Sequence, residues 1–456
     1  MLDSNSSLTV ATTAVAGAIV VGYYYAKKKS DSQRPPLVPY TIPWLGSAIT
    51  LGKDPDAFFK DSREKYGDIF TVQAAGTRLT YVTSAAATLA IYRNSKSLVF
   101  TPTRLEMSMK MFDMPRSILY DNNYMRETLY PLHHRILASA NVAPMVDALV
   151  KYTVDIVKEL CSQITGNHWS TTLKEFSHKP IFRAIAASMF GLQFPAGKDG
   201  ASELITAVVY GARNESQPPW TDREIASAIN SDFWAADGNM SWSFYWCINL
   251  MLHEPRGLAP LYEEIDAARD SWLKAHPNAD LSGENLKELT EFLNNASFPL
   301  TASVVSETLR VAVSSFSTRM VVEDGVTING YPQFEFRKGD TILCQLRSIH
   351  LDQETWGEDA AVFKPDRFID SGITAESGSR KPFLVFGGGV SKCDGRHFAA
   401  KGCKFALALF LMNFDIKLDP AYEAPSSASS LIDMTRLGAG VMHPTKPTHV
   451  VVSKRS

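Results

Sequence analysis

Hydrophobic and polar positions divide the chain unevenly. Residues Leu8–Tyr25 read LTVATTAVAGAIVVGYYY without one charged position. As a helix rising about 1.5 Å per residue, this run would extend about 27 Å, the thickness of a thin bilayer such as that of the endoplasmic reticulum. Lys27, Lys28 and Lys29 follow at once, and positive residues stay on the cytosolic side. The pattern predicts an uncleaved single-pass anchor over 1–29, with a lumenal N-terminus and a cytosolic body in the endoplasmic reticulum membrane. A secretory leader would carry a basic segment first and a shorter apolar core. The sequon Asn5-Ser6-Ser7 lies too near the membrane to be used. Residues 30–43 include Arg34-Pro35-Pro36-Leu37-Val38-Pro39 and Pro43, a stiff extended hinge.

From residue 44 to 456 the patterns mix, and helices dominate. A helix is expected around Asp56–Tyr66, then short strands at Ile69–Gln73 and Leu79–Val82. Residues 125–310 read mostly helical, with breaks such as Gln217-Pro218-Pro219. Strand patterns return at Arg319–Val326 and Thr341–Leu346. Arg396–Asn413 is apolar nearly all round, so that helix should be buried. The expectation is one mostly α domain with small, segregated β-sheets.

Composition narrows the function. Apolar residues make up 45% of the 456 positions, enough for a large core. The net charge of -2 argues against nucleic acid, whose partners carry a basic excess. The cysteines Cys161, Cys247, Cys344, Cys393 and Cys403 show neither a CxxC pair nor zinc spacing, as expected of reduced thiols.

The most informative segment is FLVFGGGVSKCDGRHFAA, Phe383–Ala400. Gly387, Gly388 and Gly389 permit a tight, positive-φ path. Cys393 and Gly395 follow, then a helix begins. A cysteine ahead of a helix N-terminus sits among free N–H groups at the positive end of the dipole, and both favour thiolate. A single preorganised sulfur suits heme iron better than zinc, which takes four ligands. On spacing alone, a buried structural cysteine beside a turn remains an equal alternative.

Phe386-x-x-Gly389-x-x-x-Cys393-x-Gly395, with Ala399, resembles the cysteine-ligand signature of the cytochrome P-450 family. Ser306-Glu307-Thr308-Leu309-Arg310 is similar to that family's Glu-x-x-Arg, and Phe363-Lys364-Pro365-Asp366-Arg367-Phe368 to its Pro-x-Arg-Phe element. The resemblance implies the family's fold, heme b as cofactor and Cys393 as axial ligand. It also implies a buried ion triad of Glu307, Arg310 and Arg367 behind the heme, where desolvation makes a geometric lock rather than net stabilisation. Arg319 stands where a propionate-binding arginine is expected. The family's Arg or His two residues before the cysteine is replaced by Ser391, so Arg319, with Arg135 or His134, is left to hold the propionates.

The helix above the heme is read at Phe233–Leu252. Gly238 and Asn239 occupy the positions where the family carries an acid and a threonine for proton delivery. Asp237 lies one residue away, about 100° round the helix, and Ser241 two beyond. Gly238-Asn239-Met240 resembles the branch containing prostacyclin synthase and the sterol 7α- and 12α-hydroxylases, which holds both monooxygenases and an isomerase. Asn239 can orient a peroxide or water but supplies no ionisable proton. Ala235, Ala236 and Ser243 share its face and are small. Ser315, Phe316 and Leu437–Gly440 match the family's substrate-contact regions, and few charges fall there, so an apolar terpenoid, steroid or oxylipin is expected. Trp242, Phe244 and Trp246 read as packing residues. Without a GxGxxG fingerprint or flavin domain, a monooxygenase would need electrons from a separate NADPH-dependent reductase. The alternative is an isomerase or dehydratase that needs neither oxygen nor electrons.

Overall fold

The structure, a computed structural model, describes residues 33–121, 123–191, 202–371, 382–425 and 428–455. The expected anchor, the sequon and the start of the hinge lie outside the described residues. Among the described residues, no helix is long and apolar enough to cross a membrane.

The protein is mostly helical with small sheets. Its main helices are α1 (Pro55–Tyr66), α2 (Ala85–Arg93), α3 (Ala143–Gln163), α4 (Lys179–Phe190), α5 (Asp222–Leu252), α6 (Ala259–Ala275), α7 (Pro299–Ala312) and α8 (Arg396–Asn413). Its strands are β1 (Ile69–Ala74), β2 (Thr77–Val82), β3 (Leu98–Val99), β4 (Trp169–Thr172), β5 (Val313–Val321), β6 (Val326–Ile328), β7 (Tyr331–Phe336), β8 (Thr341–Gln345), β9 (Phe414–Leu418), β10 (Ala439–Val441) and β11 (His449–Lys454).

The chain forms two compact units. The first runs to Phe100 and includes Ser317–Gln345. There α1 starts on Asp54, whose side chain accepts from the Ala57 amide at 3.0 Å, a cap satisfying one free helix donor. β1 and β2 pair antiparallel from Ile69↔Val82 to Ala74↔Thr77. β2 continues parallel to β8, with Thr80 opposite Ile342. Phe59 and Tyr81 pack at 5.0 Å between ring centroids, fixing α1 on the buried face of the sheet.

The second unit comprises Thr101–Phe316 and Leu346–Ser456. Here α3 packs on α4 and α8, while α5 packs on α4, α7 and α8. Gly402 of α8 permits a close approach: an added Cβ would overlap the tips of Met240 on α5 and Leu149 on α3. The aromatic core joins Phe244 to Phe410 at 4.9 Å. Trp242, Phe244 and Trp246 are buried, as packing residues should be. A small antiparallel sheet runs β4-β11-β9.

One expectation needs correction. The strand read at 319–326 is instead β5, Val313–Val321, with a separate β6 beyond a turn. Gly325 in that turn has φ +74°, a conformation open to glycine but strained for other residues.

Candidate active site

Cys393 lies in the approach to α8. Gly387 and Gly389 adopt φ +68° and +67°, so two of the three glycines hold left-handed backbone that a bulkier residue resists. The Gly387 amide donates to Leu384 O at 2.8 Å, and the Cys393 amide to Phe386 O at 3.0 Å. These bonds close the loop on itself, and Gly389–Ser391 forms a short 3-10 turn within it. Burial raises the Cys393 thiol pKa above its ordinary value. The Gly395 and Arg396 amides bond to the sulfur and oppose that rise, as does the Arg396 charge, while Asp394 adds to it. Cys393 as a residue is nevertheless exposed. This donor set fits a heme held through one sulfur: two amides favour the thiolate against its burial, and Gly395 leaves the space next to the sulfur without a side chain.

A saturated ion cluster stands at the C-terminal end of α7. Glu307 and Arg310 have no solvent exposure. Arg310 grips Glu307 through Nε and Nη2, both at 2.7 Å. Its remaining donors reach the carbonyls of His350 (2.6 Å), Ala360 (2.5 Å) and Val362 (3.2 Å). All five guanidinium N–H groups are thus used. Arg367 joins through Nε to Glu307 at 3.1 Å. Its other donors meet Asp359 Oδ1 (2.9 Å) and the carbonyls of Trp356, Asp359 and Val362. The Lys364 amide also donates to Glu307 at 2.9 Å. Lys364 and Arg367 hold the Asp359 carboxyl down at about 2.

Sequence reasoning missed His350, which joins this cluster to the segment entering the Cys393 loop. Its carbonyl accepts from Arg310, and its Nε2 accepts from the Leu384 amide at 3.0 Å. Full burial, with Arg310 and Arg347 nearby, lowers its pKa to about 3. The ring is therefore neutral and free to accept. A lone histidine carries no sequence signal for such a role.

The α5 stretch around Gly238 is arranged differently. Trp234, Ala235 and Gly238 are exposed, and no atom stands within 4 Å of where a Gly238 Cβ would lie. Asn239 is half-buried: its Nδ2 donates to Ala235 O at 2.9 Å, and its Oδ1 accepts from the Val441 amide at 3.1 Å. Asp237 faces elsewhere. It is 1% exposed, neither carboxylate oxygen has a partner, and burial pushes its pKa up to about 8. Ser243 is buried and bonds back to Asn239 O at 2.9 Å, so its hydroxyl is spent inside the helix.

The residues expected at propionates are placed as follows. Arg319, in the first unit, is buried, stacks 4.9 Å from the Tyr92 ring and donates to Ser317 Oγ and Thr318 O. His134 meets Asp394 at 2.9 Å, and Arg135 meets Glu203 at the surface. Ser391 and Phe386 are half-buried in the Cys393 loop.

Comparisons with known proteins point to one family. The family model described as Cytochrome P450 matches residues 35–220 and 198–438. The chain is 23% identical to Cytochrome P450 7A1 of Sus scrofa, covering 90% of this chain and 92% of that one. It is 26% identical to the human 7-alpha-hydroxycholest-4-en-3-one 12-alpha-hydroxylase (90% and 91% covered) and 24% identical to human Prostacyclin synthase (90% and 92%). These relatives include the branch that Gly238-Asn239-Met240 resembles.

Proposed function

The chain belongs to the cytochrome P450 family of heme-thiolate monooxygenases, and from that premise we propose that it oxygenates an apolar, lipid-like molecule, drawing electrons from a separate NADPH-dependent reductase. Heme b, when bound, supplies the activation of dioxygen. Cys393 is the residue that would hold its iron. The amides of Gly395 and Arg396 favour the charged sulfur against the burial that opposes it, and the Glu307–Arg310–Arg367 cluster with His350 supports its loop.

The observation that carries the substrate class is the open α5 face. Trp234, Ala235 and Gly238 are accessible without a charge among them, which suits an apolar guest. Asn239 retains one N–H and one lone pair beyond its two bonds. These can orient a water or a substrate oxygen. Asp237, neutral at pH 7 and turned from this face, does not take the place of the missing acid. The uncharged run Leu8–Tyr25 followed by three lysines supports an anchor in the endoplasmic reticulum membrane.

A second reading is favoured by the same amide together with the likeness to Prostacyclin synthase: conversion of a peroxide or hydroxylated lipid without oxygen. One experiment separates the two. The purified protein is incubated with candidate lipids, with and without NADPH and reductase, in air and anaerobically. Oxygenation predicts product only with reductant and air, carrying label from labelled dioxygen. Unlabelled product at full rate under anaerobic, reductant-free conditions would overturn it.

A further inference from the structure

Asn239 does more than border the open face. Its side chain links that face to the segment Leu437–Met442 by bonding the Val441 amide, and a second link lies two turns on. There Trp246, fully buried, donates from Nε1 to Met442 O at 2.6 Å. Residues seven apart share a helix face, so α5 grips adjacent backbone groups of one segment at Val441 and Met442. The Trp246 end is sealed in the core. The Asn239 end stands beside the accessible Ala235 and Gly238.

The segment is built for this approach. Gly438 and Gly440 have φ +94° and +105°. A Cβ on Gly440 would occupy the space of Asn239 Oδ1, and one on Gly438 would strike the Phe316 ring. The opposite edge of β10 pairs with β5, with Gly440 opposite Ser314 and Ala439 opposite Ser315. The Gly438 amide also donates to Ser314 O at 2.8 Å. The turn is therefore fixed on the β5 side by backbone bonds, and on the α5 side the Asn239 amide bonds Val441, an approach that requires glycine at position 440.

We propose that Asn239 and Gly440 act together as a clamp that sets the distance between the open face of α5 and the Leu437–Val441 turn, making Asn239 a positioning residue that determines which molecules the site admits. The specificity half of this proposal rests on the oxygenase reading above; the clamp itself does not. The amide's orientation follows from its two partners. Oδ1 must accept from Val441 and Nδ2 must donate to Ala235 O. An aspartate there would keep the link to Val441 while losing the link to Ala235.

Two measurements on the full-length heme-loaded protein test it. The first is hydrogen exchange at the Val441 amide. The second is the ratio of dissociation constants for 4-phenylimidazole and imidazole, two iron ligands that differ by one phenyl group, read from the heme spectrum and compared between each variant and the wild type. Loss of one hydrogen bond near the surface should speed exchange about tenfold in Asn239→Ala and change the azole ratio by about fivefold or more. Asn239→Asp should stay near wild type in both. Gly440→Ala should mimic Asn239→Ala. Gly257→Ala, also at positive φ but with open space around it, should change neither, which separates backbone strain from displacement of the amide. Unchanged Val441 exchange in Asn239→Ala would overturn the clamp. Faster exchange with an unchanged azole ratio would overturn its role in specificity. A wild-type protein without a heme spectrum would sink the oxygenase reading, while the exchange arm would still decide the clamp.

Discussion

The ion cluster on α7 and the Asp237 stretch of α5 both bury charge-bearing side chains, and they treat them in opposite ways. Around Glu307, every donor of two guanidinium groups finds an oxygen, and the carboxylate is met from three residues. Around Asp237, a carboxylate is equally buried and neither oxygen is met. The first region is fully satisfied, so any single loss leaves a stranded partner. The second already holds the stranded group, so losing it is a relief. Satisfied charge is concentrated in the cluster that His350 joins to the segment entering the Cys393 loop, and unmatched polarity is left along α5.

The largest effect should come from breaking the satisfied side. Glu307→Ala or Arg310→Ala leaves an uncompensated buried charge at a cost of about 3–5 kcal/mol, a large share of the about 5–15 kcal/mol that stabilises a typical protein. Both variants should lose heme incorporation rather than only turnover, as measured by heme content of the purified protein. Normal heme content in both would show that the cluster is dispensable.

Asp237→Asn sharpens the contrast from the other side. The folded-state pKa of Asp237 is raised to about 8, so between about pH 4 and pH 8 the native state binds more protons there than the unfolded state. Its contribution is therefore favourable in acid and is lost as pH rises. Removing the ionisation should stabilise the protein at pH 7.5 by about 1–3 kcal/mol and have little effect near pH 4. Thermal unfolding at the two pH values would read this directly, and destabilisation at pH 7.5 would contradict it.

His350 has the reverse sign. Its folded pKa is lowered to about 3, so between about pH 3 and 6.5 the unfolded state binds the extra proton. Stability from this group is present above about pH 6.5 and falls as pH falls. Going from pH 7 to pH 5 should remove about 2 kcal/mol. His350→Gln, which keeps an acceptor for the Leu384 amide, should flatten that dependence. An unchanged slope would mean that the ring does not stay neutral in the folded protein.

A smaller effect is expected at Gly387. Its φ of +68° strains any side chain, yet no atom crowds its Cβ position. Gly387→Ala should cost about 1 kcal/mol in unfolding midpoint experiments, and Gly387→Asn less, because asparagine tolerates left-handed backbone.

Sequence alone exposed the site unevenly, and for physical reasons. Cys393, its glycines and the helix behind them form one short continuous stretch, so their chemistry is readable from spacing. Glu307, Arg310 and Arg367 are readable as motifs. Their carbonyl partners at His350, Ala360 and Val362 are not, because a backbone oxygen leaves no mark on residue type. The bond between Asn239 and Val441 spans 202 positions, beyond any local pattern. Asp237 could be placed off the Asn239 face by helix geometry, but its missing partners depend on what α5 packs against. β5 was misplaced because Val313–Ser315 become a strand through pairing with β10, while Gly325 ends the apparent run.

The central claim is that Cys393 is the thiolate that holds the heme. The most direct measurement is the absorption spectrum of the reduced, carbon monoxide-bound protein. The wild type should show the band typical of thiolate-ligated heme. Cys393→Ser should lose it. Cys403→Ser should keep it, since Cys403 is buried in α8 with its pKa held well above the ordinary value. Retention of the band in Cys393→Ser together with its loss in Cys403→Ser would contradict the account.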